Sequence, residues 1–215
     1  MKKQSQRLII AFIICTISAG LFIFIASSIA NESIEQFDTS IISAVQALEA
    51  TWLTVVYKVF TWIGSAYVVI PVTLIAFLLL YFKHQQRGLA ILFAAVIIAT
   101  VSSNELLKRY FKRDRPELHR IIDAGGLSFP SGHTMMALSL YAIIAYTVWR
   151  SIKSLKLRIL LISWVTFMIF MIASSRIYLG VHYPSDILGG LAASTFIVTL
   201  FISIYKFFEH KKRPL

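Results

Sequence analysis

Six apolar runs, at about residues 8–30, 53–82, 88–107, 134–149, 159–174 and 187–208, leave this chain few ways to fold. About 20 apolar residues in a helix are enough to span a bilayer, where the backbone must satisfy its own hydrogen bonds. The middles of all six runs lack ionisable residues. With 58% hydrophobic and only 14% charged residues, the composition lies far from that of a soluble globular domain. The expected architecture is an all-α, six-span transmembrane helix bundle, with residues 1–215 forming a single domain.

Lys2, Lys3 and Arg7 precede the first run. A signal peptide also begins with a basic segment, and Ser28 to Ala30 could suit a peptidase. Signal cores are about 7–15 residues, however, and this run is longer, so an uncleaved first span is expected. Residues 31–50 differ in kind. Ile34, Phe37, Ile41, Val45 and Leu48 recur at helical spacing, with Glu32, Glu35 and Asp38 between them. That pattern predicts a short amphipathic interfacial helix after the first span, lying along the membrane surface or packed on the outer ends of the spans. The single cysteine, Cys15, lies inside the first run as a small apolar side chain, which excludes a disulfide framework.

The net charge of +11 is not a nucleic-acid signal, because the basic residues fall between apolar runs and are not interleaved with aromatics on a soluble face. With the N-terminus inside, thirteen of the 21 Lys and Arg residues lie in inner segments, and residues 31–53 have none. Lys/Arg bias sets orientation, so both termini are expected in the cytoplasm. One outer segment breaks the rule: residues 108–120 hold Lys108, Arg109, Lys112, Arg113, Arg115 and Arg120. Cations placed there point to an anionic ligand outside the membrane, with Asp114, Glu117 and Asp123 tempering their charge.

Two more polar segments face the same side, Pro-Ser-Gly-His at 130–133 and Ser-Arg-Ile-Tyr-Leu-Gly-Val-His-Tyr-Pro-Ser-Asp at 175–186. Lys108, Arg115 and Arg176 supply the charge and forked donors that suit a phosphate group. Ser131 reads as a helix cap, with the backbone N–H groups around Gly132 forming an anion site. Pro184 marks a second helix start, which puts Asp186 in the first turn, within reach of His182. That pairing fixes the tautomer and frees the other ring nitrogen as a nucleophile, while His133 is available as acid and base. The carboxylates are too scattered for a metal cage, so neither a metal nor a cofactor is expected. His84, His119 and His210 have no such surroundings.

Together these segments resemble the signature of the type-2 phosphatidic acid phosphatase superfamily: Lys108 with Arg115-Pro116; Pro130-Ser131-Gly132-His133; then Ser175-Arg176, His182 and Asp186. The resemblance implies that His182 attacks phosphorus to form a phosphohistidine and that Asp186 orients it. It implies that His133 protonates the leaving oxygen and then activates water. Lys108, Arg115, Arg176, Ser131 and the Gly132 N–H are implied to hold the phosphoryl oxygens.

A site at the span ends suits a phosphate carried on a lipid. The expected substrate is thus a phospholipid or polyprenyl phosphate within the bilayer: phosphatidylglycerophosphate, undecaprenyl pyrophosphate or phosphatidic acid. The expected location is the plasma membrane with the site on the extracytoplasmic side, without nucleic acid and without an obligate protein partner. Two alternatives compete. A lipid-linked phosphotransferase passes the phosphate to another acceptor, and an anion transporter uses the basic loop as a vestibule, although transport sites favour broken helices at the midplane.

Overall fold

The computed structural model of the protein describes residues 2–117 and 119–211. Regular structure among them is helical: α1 (Lys2–Ala30), α2 (Glu35–Gln46), α3 (Thr51–Ile63), α4 (Ala66–Leu78) continued by a π-helical turn (Leu79–Lys83), α5 (Arg87–Phe111), α6 (Gly132–Trp149), α7 (Leu155–Tyr178) and α8 (Pro184–Lys211). Five helical stretches are long and apolar enough to cross a membrane: Ser5–Ala30, Ala66–Lys83, Arg87–Phe111, Leu155–Tyr178 and Pro184–His210. The expected span at 134–149 falls outside this set. Its helix, α6, packs against α4, α5, α7 and α8, so protein and not lipid surrounds much of it. That setting suits its small and polar residues, and Ser139 shares a 2.8 Å hydrogen bond with Thr100 of α5.

The bundle core follows from α6 being central. Val69 of α4, Phe93 and Val96 of α5, Leu140 and Ile143 of α6 and Val198 of α8 form one buried cluster. On the other flank of α6, Tyr141 and Ala145 meet Val165, Met168 and Ile172 of α7. Helix α1 lies along α8, and its Ile25 and Ala26 close over Phe129. Outward-facing residues such as Phe12, Phe24 and Ile98 are more than 60% exposed, a surface suited to hydrocarbon.

Two expectations need correction. The run at 53–82 is two helices, not one, because α3 packs on α7 while α4 packs on α5 and α6. The break falls at Gly64, where an added Cβ would sit 2.4 Å from Ile172 Cγ2; only glycine permits that approach. Helix α2 also presents a face rotated from the one its spacing predicts. Asp38 and Ile42 are buried and Ile34, Ile41 and Val45 half-buried, while Phe37 is exposed. A carboxylate therefore sits where an apolar residue was expected.

Between α7 and α8 the chain reverses through Gly180, at φ +72°. A Cβ there would lie 1.9 Å from the His119 carbonyl oxygen, and the left-handed conformation alone costs a β-carbon-bearing residue about 1–3 kcal/mol. Gly180→Ala is expected to lower the thermal unfolding midpoint in detergent by several degrees. An unchanged midpoint would show that the turn and the loop against it readjust freely.

Candidate active site

Local chemistry positions each element at one end of the bundle. Ser131 caps α6, its Oγ accepting from the Thr134 N–H at 3.5 Å and from Thr134 Oγ1 at 3.0 Å. The Asn104 side-chain amide donates to the Pro130 carbonyl at 3.0 Å, tying this cap to α5. Helix α8 begins at Pro184, and the Tyr183 N–H donates to Asp186 Oδ2 at 2.9 Å. That bond from the residue before the helix to an acid in its first turn is half of a capping box, and it fixes the carboxylate over the turn. The Ser131 N–H donates to the Asp186 carbonyl at 3.1 Å, joining the two helix starts.

His182 is buried in the turn between α7 and α8. Its Nδ1 lies 3.2 Å from Asp186 Oδ2, and Arg115 Nη1 approaches Nε2 at 3.0 Å. A carboxylate accepts and a guanidinium only donates, so the pair selects the neutral ring with its proton on Nδ1 and the Nε2 lone pair facing Arg115. Burial pushes the His182 pKa down to about 4, although the Asp186 carboxylate opposes the shift. The ring is therefore a free base at neutral pH.

Arg115 and Arg176 both act electrostatically on His182. Arg115 is held by the Gly125, Gly126 and Val181 carbonyls. Arg176 is 3% exposed, and its Nη1 donates to Thr61 Oγ1 while its buried Nε has no hydrogen-bond partner among the described residues. Lys108, Arg115, Arg176 and His182 all lie within electrostatic reach of His133. Lys108, Arg115, Arg176, His133, His182 and Asp186 thus converge, with Ser131 and Gly132 at the adjoining start of α6. Among the described residues, no group of three or more His, Cys, Asp or Glu side chains is placed to hold a metal ion.

Three more side chains complete the cluster; sequence reasoning counts Arg113 only among the basic residues of its loop and gives Ser128 and Asp38 no place in the site. Ser128 Oγ donates to Asp186 Oδ2. Arg113 bridges two carboxylates, Nη1 to Asp186 Oδ1 and Nη2 to Asp38 Oδ2, both at 2.8 Å. The acids paired with Arg113 are these two, where Asp114, Glu117 and Asp123 had been expected to temper the loop. His119, which had no assigned role, lies 2.8 Å from exposed Glu49. A buried anion is stable when paired and fully hydrogen-bonded, and Asp186 meets that condition on both oxygens.

What the arrangement offers is a neutral imidazole with one nitrogen against Arg115, beside a second histidine that feels Lys108, Arg115 and Arg176. The model of the PAP2 superfamily matches residues 88–209. Phosphatidylglycerophosphatase B of Bacillus subtilis is 29% identical over 196 residues, 89% of this chain and 93% of that protein. Undecaprenyl-diphosphatase BcrC of the same organism is 31% identical over 64% of this chain and 69% of its own. Among solved structures, the transmembrane PAP2-type phosphatidylglycerolphosphate phosphatase from Bacillus subtilis superposes with a TM-score of 0.83 at 25% identity, over 94% of this chain and 98% of that one.

Proposed function

Since the chain belongs to the PAP2 superfamily, we propose that it is a membrane lipid phosphatase that hydrolyses phosphatidylglycerophosphate through a phosphohistidine on His182. The observation that carries the reading is the His182 ring, held by Asp186 at Nδ1 and turned with Nε2 onto Arg115. The family match and the near full-length similarity to a phosphatidylglycerophosphatase support the substrate class.

In the first step Nε2 attacks phosphorus, and the bond to the leaving oxygen breaks as His133 gives that oxygen a proton. In the second, His133 takes a proton from water, the water oxygen attacks phosphorus, and the P–N bond breaks to return His182 and release phosphate. Lys108, Arg115, Arg176, Ser131 and the Gly132 N–H stabilise the phosphoryl oxygens throughout, the dominant contribution in phosphoryl transfer. Arg115 has to leave Nε2 for the phosphate before attack. The site belongs to the extracytoplasmic side of the plasma membrane, reached by the lipid from between helices. Both termini are cytoplasmic, α6 completes six spans, and α2 lies at the interface.

A second substrate is undecaprenyl pyrophosphate, favoured by the similarity to BcrC. Phosphate release from phosphatidylglycerophosphate, undecaprenyl pyrophosphate and phosphatidic acid in detergent, with and without a chelator, tests the reading. Fastest release from phosphatidylglycerophosphate, undiminished by chelation and inhibited competitively by vanadate, is expected. Release only in the presence of added metal, or phosphate recovered on an alcohol acceptor in place of water, would overturn it.

A further inference from the structure

We infer that Asp38, on helix α2, is a positioning residue of the phosphatase, holding Arg113 and the first turn of α8 so that the charge of Asp186 remains available to His182. The inference rests on the reading above. Asp38 lies upstream of the residues the family model covers, in a helix whose spacing gives it no part in the site.

The observations begin with burial. Asp38 is 1% exposed, and a carboxylate removed from solvent costs several kcal/mol unless it is paired and hydrogen-bonded. An apolar residue at that position would seat α2 without such a cost. Asp38 instead meets three donors: the Ser185 N–H at 2.8 Å and the Ser185 hydroxyl at 2.5 Å, and Arg113 Nη2 at 2.8 Å. The Ser185 N–H belongs to the first turn of α8, where no intrahelical acceptor exists. Asp38 is therefore a helix cap supplied by a different helix, and the turn it caps carries Asp186.

The second contact acts on charge. Arg113 Nη1 donates to Asp186 Oδ1 at 2.8 Å and to Ser185 Oγ at 2.7 Å, while the Tyr183 ring covers the guanidinium at 4.0 Å. Arg113 and Asp186 alone would be a neutral pair whose field at His182 largely cancels. Asp38 restores one net negative charge to the group and holds the other end of the fork, so Arg113 cannot turn both nitrogens onto Asp186. The imidazole becomes cationic as its Nε2 bonds to phosphorus, and that is when the extra negative charge acts. Substrate binding uses other groups. An interaction realised in the transition state and not in binding lowers kcat and spares KM when it is removed.

The test compares Asp38→Asn, Arg113→Gln and the double variant in the full chain in detergent, with rates expressed per vanadate-binding site so that misfolded protein drops out. Asp38→Asn keeps the shape and one acceptor oxygen but removes the charge. Its kcat on phosphatidylglycerophosphate is expected to fall roughly 10- to 100-fold, with KM and the vanadate inhibition constant within about threefold of wild type. Because part of the Asp38 effect passes through Arg113, the double variant should lose clearly less than the two single losses combined. Wild-type kcat in Asp38→Asn, additive losses, or a loss confined to KM each overturn the inference. Should Asp38→Asn yield no vanadate-binding protein, Asp38→Ser, which removes the charge and can still accept from the Ser185 N–H, takes its place: a wild-type kcat there overturns the inference. Failure of the wild type to release phosphate from any lipid phosphate would sink the phosphatase reading instead.

Discussion

His182→Ala is expected to abolish phosphate release, with a loss of about 10⁴-fold or more, since a covalent route has no substitute once its nucleophile is gone. Wild-type protein quenched after brief exposure to labelled substrate should carry a phosphoryl group that is labile in acid and stable in base, as a phosphoramidate is. The alanine variant should carry none. Retained labelling in His182→Ala would move the nucleophile elsewhere, His133 being the next candidate. The pH dependence follows from burial of the ring. Its pKa is lowered to about 4, so the neutral form that attacks persists below the usual histidine range and is lost only as pH falls towards that value. Full amplitude of labelling is therefore expected at about pH 5.5, where an ordinary histidine would be mostly protonated.

The second large effect is expected at Asp186. Its Oδ2 receives the Tyr183 N–H and Ser128 Oγ and faces His182 Nδ1, while Oδ1 receives Arg113. Asparagine replaces one of those oxygens with a donor, so in either orientation a donor meets a donor. If its nitrogen faces the ring, the proton is driven from Nδ1 to Nε2 and the attacking lone pair is lost. A wrong tautomer in a comparable triad costs about 10⁴-fold, and Asp186→Asn should lose roughly 10³- to 10⁴-fold in kcat. Among the described residues the Asp186 carboxylate has its hydrogen bonds with Arg113, Ser128, His182 and Tyr183, and none with Lys108, Arg115 or Arg176, so vanadate should still bind. Equal weakening of vanadate binding and turnover would show that Asp186 builds the pocket and does not aim the histidine.

How much of this was legible in the sequence depended on distance along the chain. The cap at Ser131, the helix start at Pro184 and the pairing of His182 with Asp186 rest on neighbours within a few residues, and local turn chemistry declares them. The Asp38–Arg113 pair joins groups 75 residues apart, and nothing local to either marks it. Asp38 reads as one acid on a surface helix and Arg113 as one of six basic residues in a loop. The rotation of α2 has the same origin: spacing places its apolar residues on one face, but the charge waiting at Arg113 and Ser185 decides which face turns inward. The break at Gly64 was hidden because hydropathy runs straight through it, and only Ile172 from α7 gives that glycine its reason. At 134–149 the apolar run is legible as a helix, but that its neighbours are α4, α5, α7 and α8 is decided by packing between segments far apart in the chain.

In the structure described here, Arg115 sits on the one nitrogen of His182 that chemistry requires. On the proposed reading this contact is a latch. The lone pair is occupied at rest, and it is released when an anion draws the guanidinium away. A neutral ester of the same shape could enter between the helices and find the histidine still closed. The pull on Arg115 would grow with the charge of the headgroup, so a doubly charged terminal phosphate would arm the nucleophile more fully than the singly charged phosphodiesters that surround the enzyme.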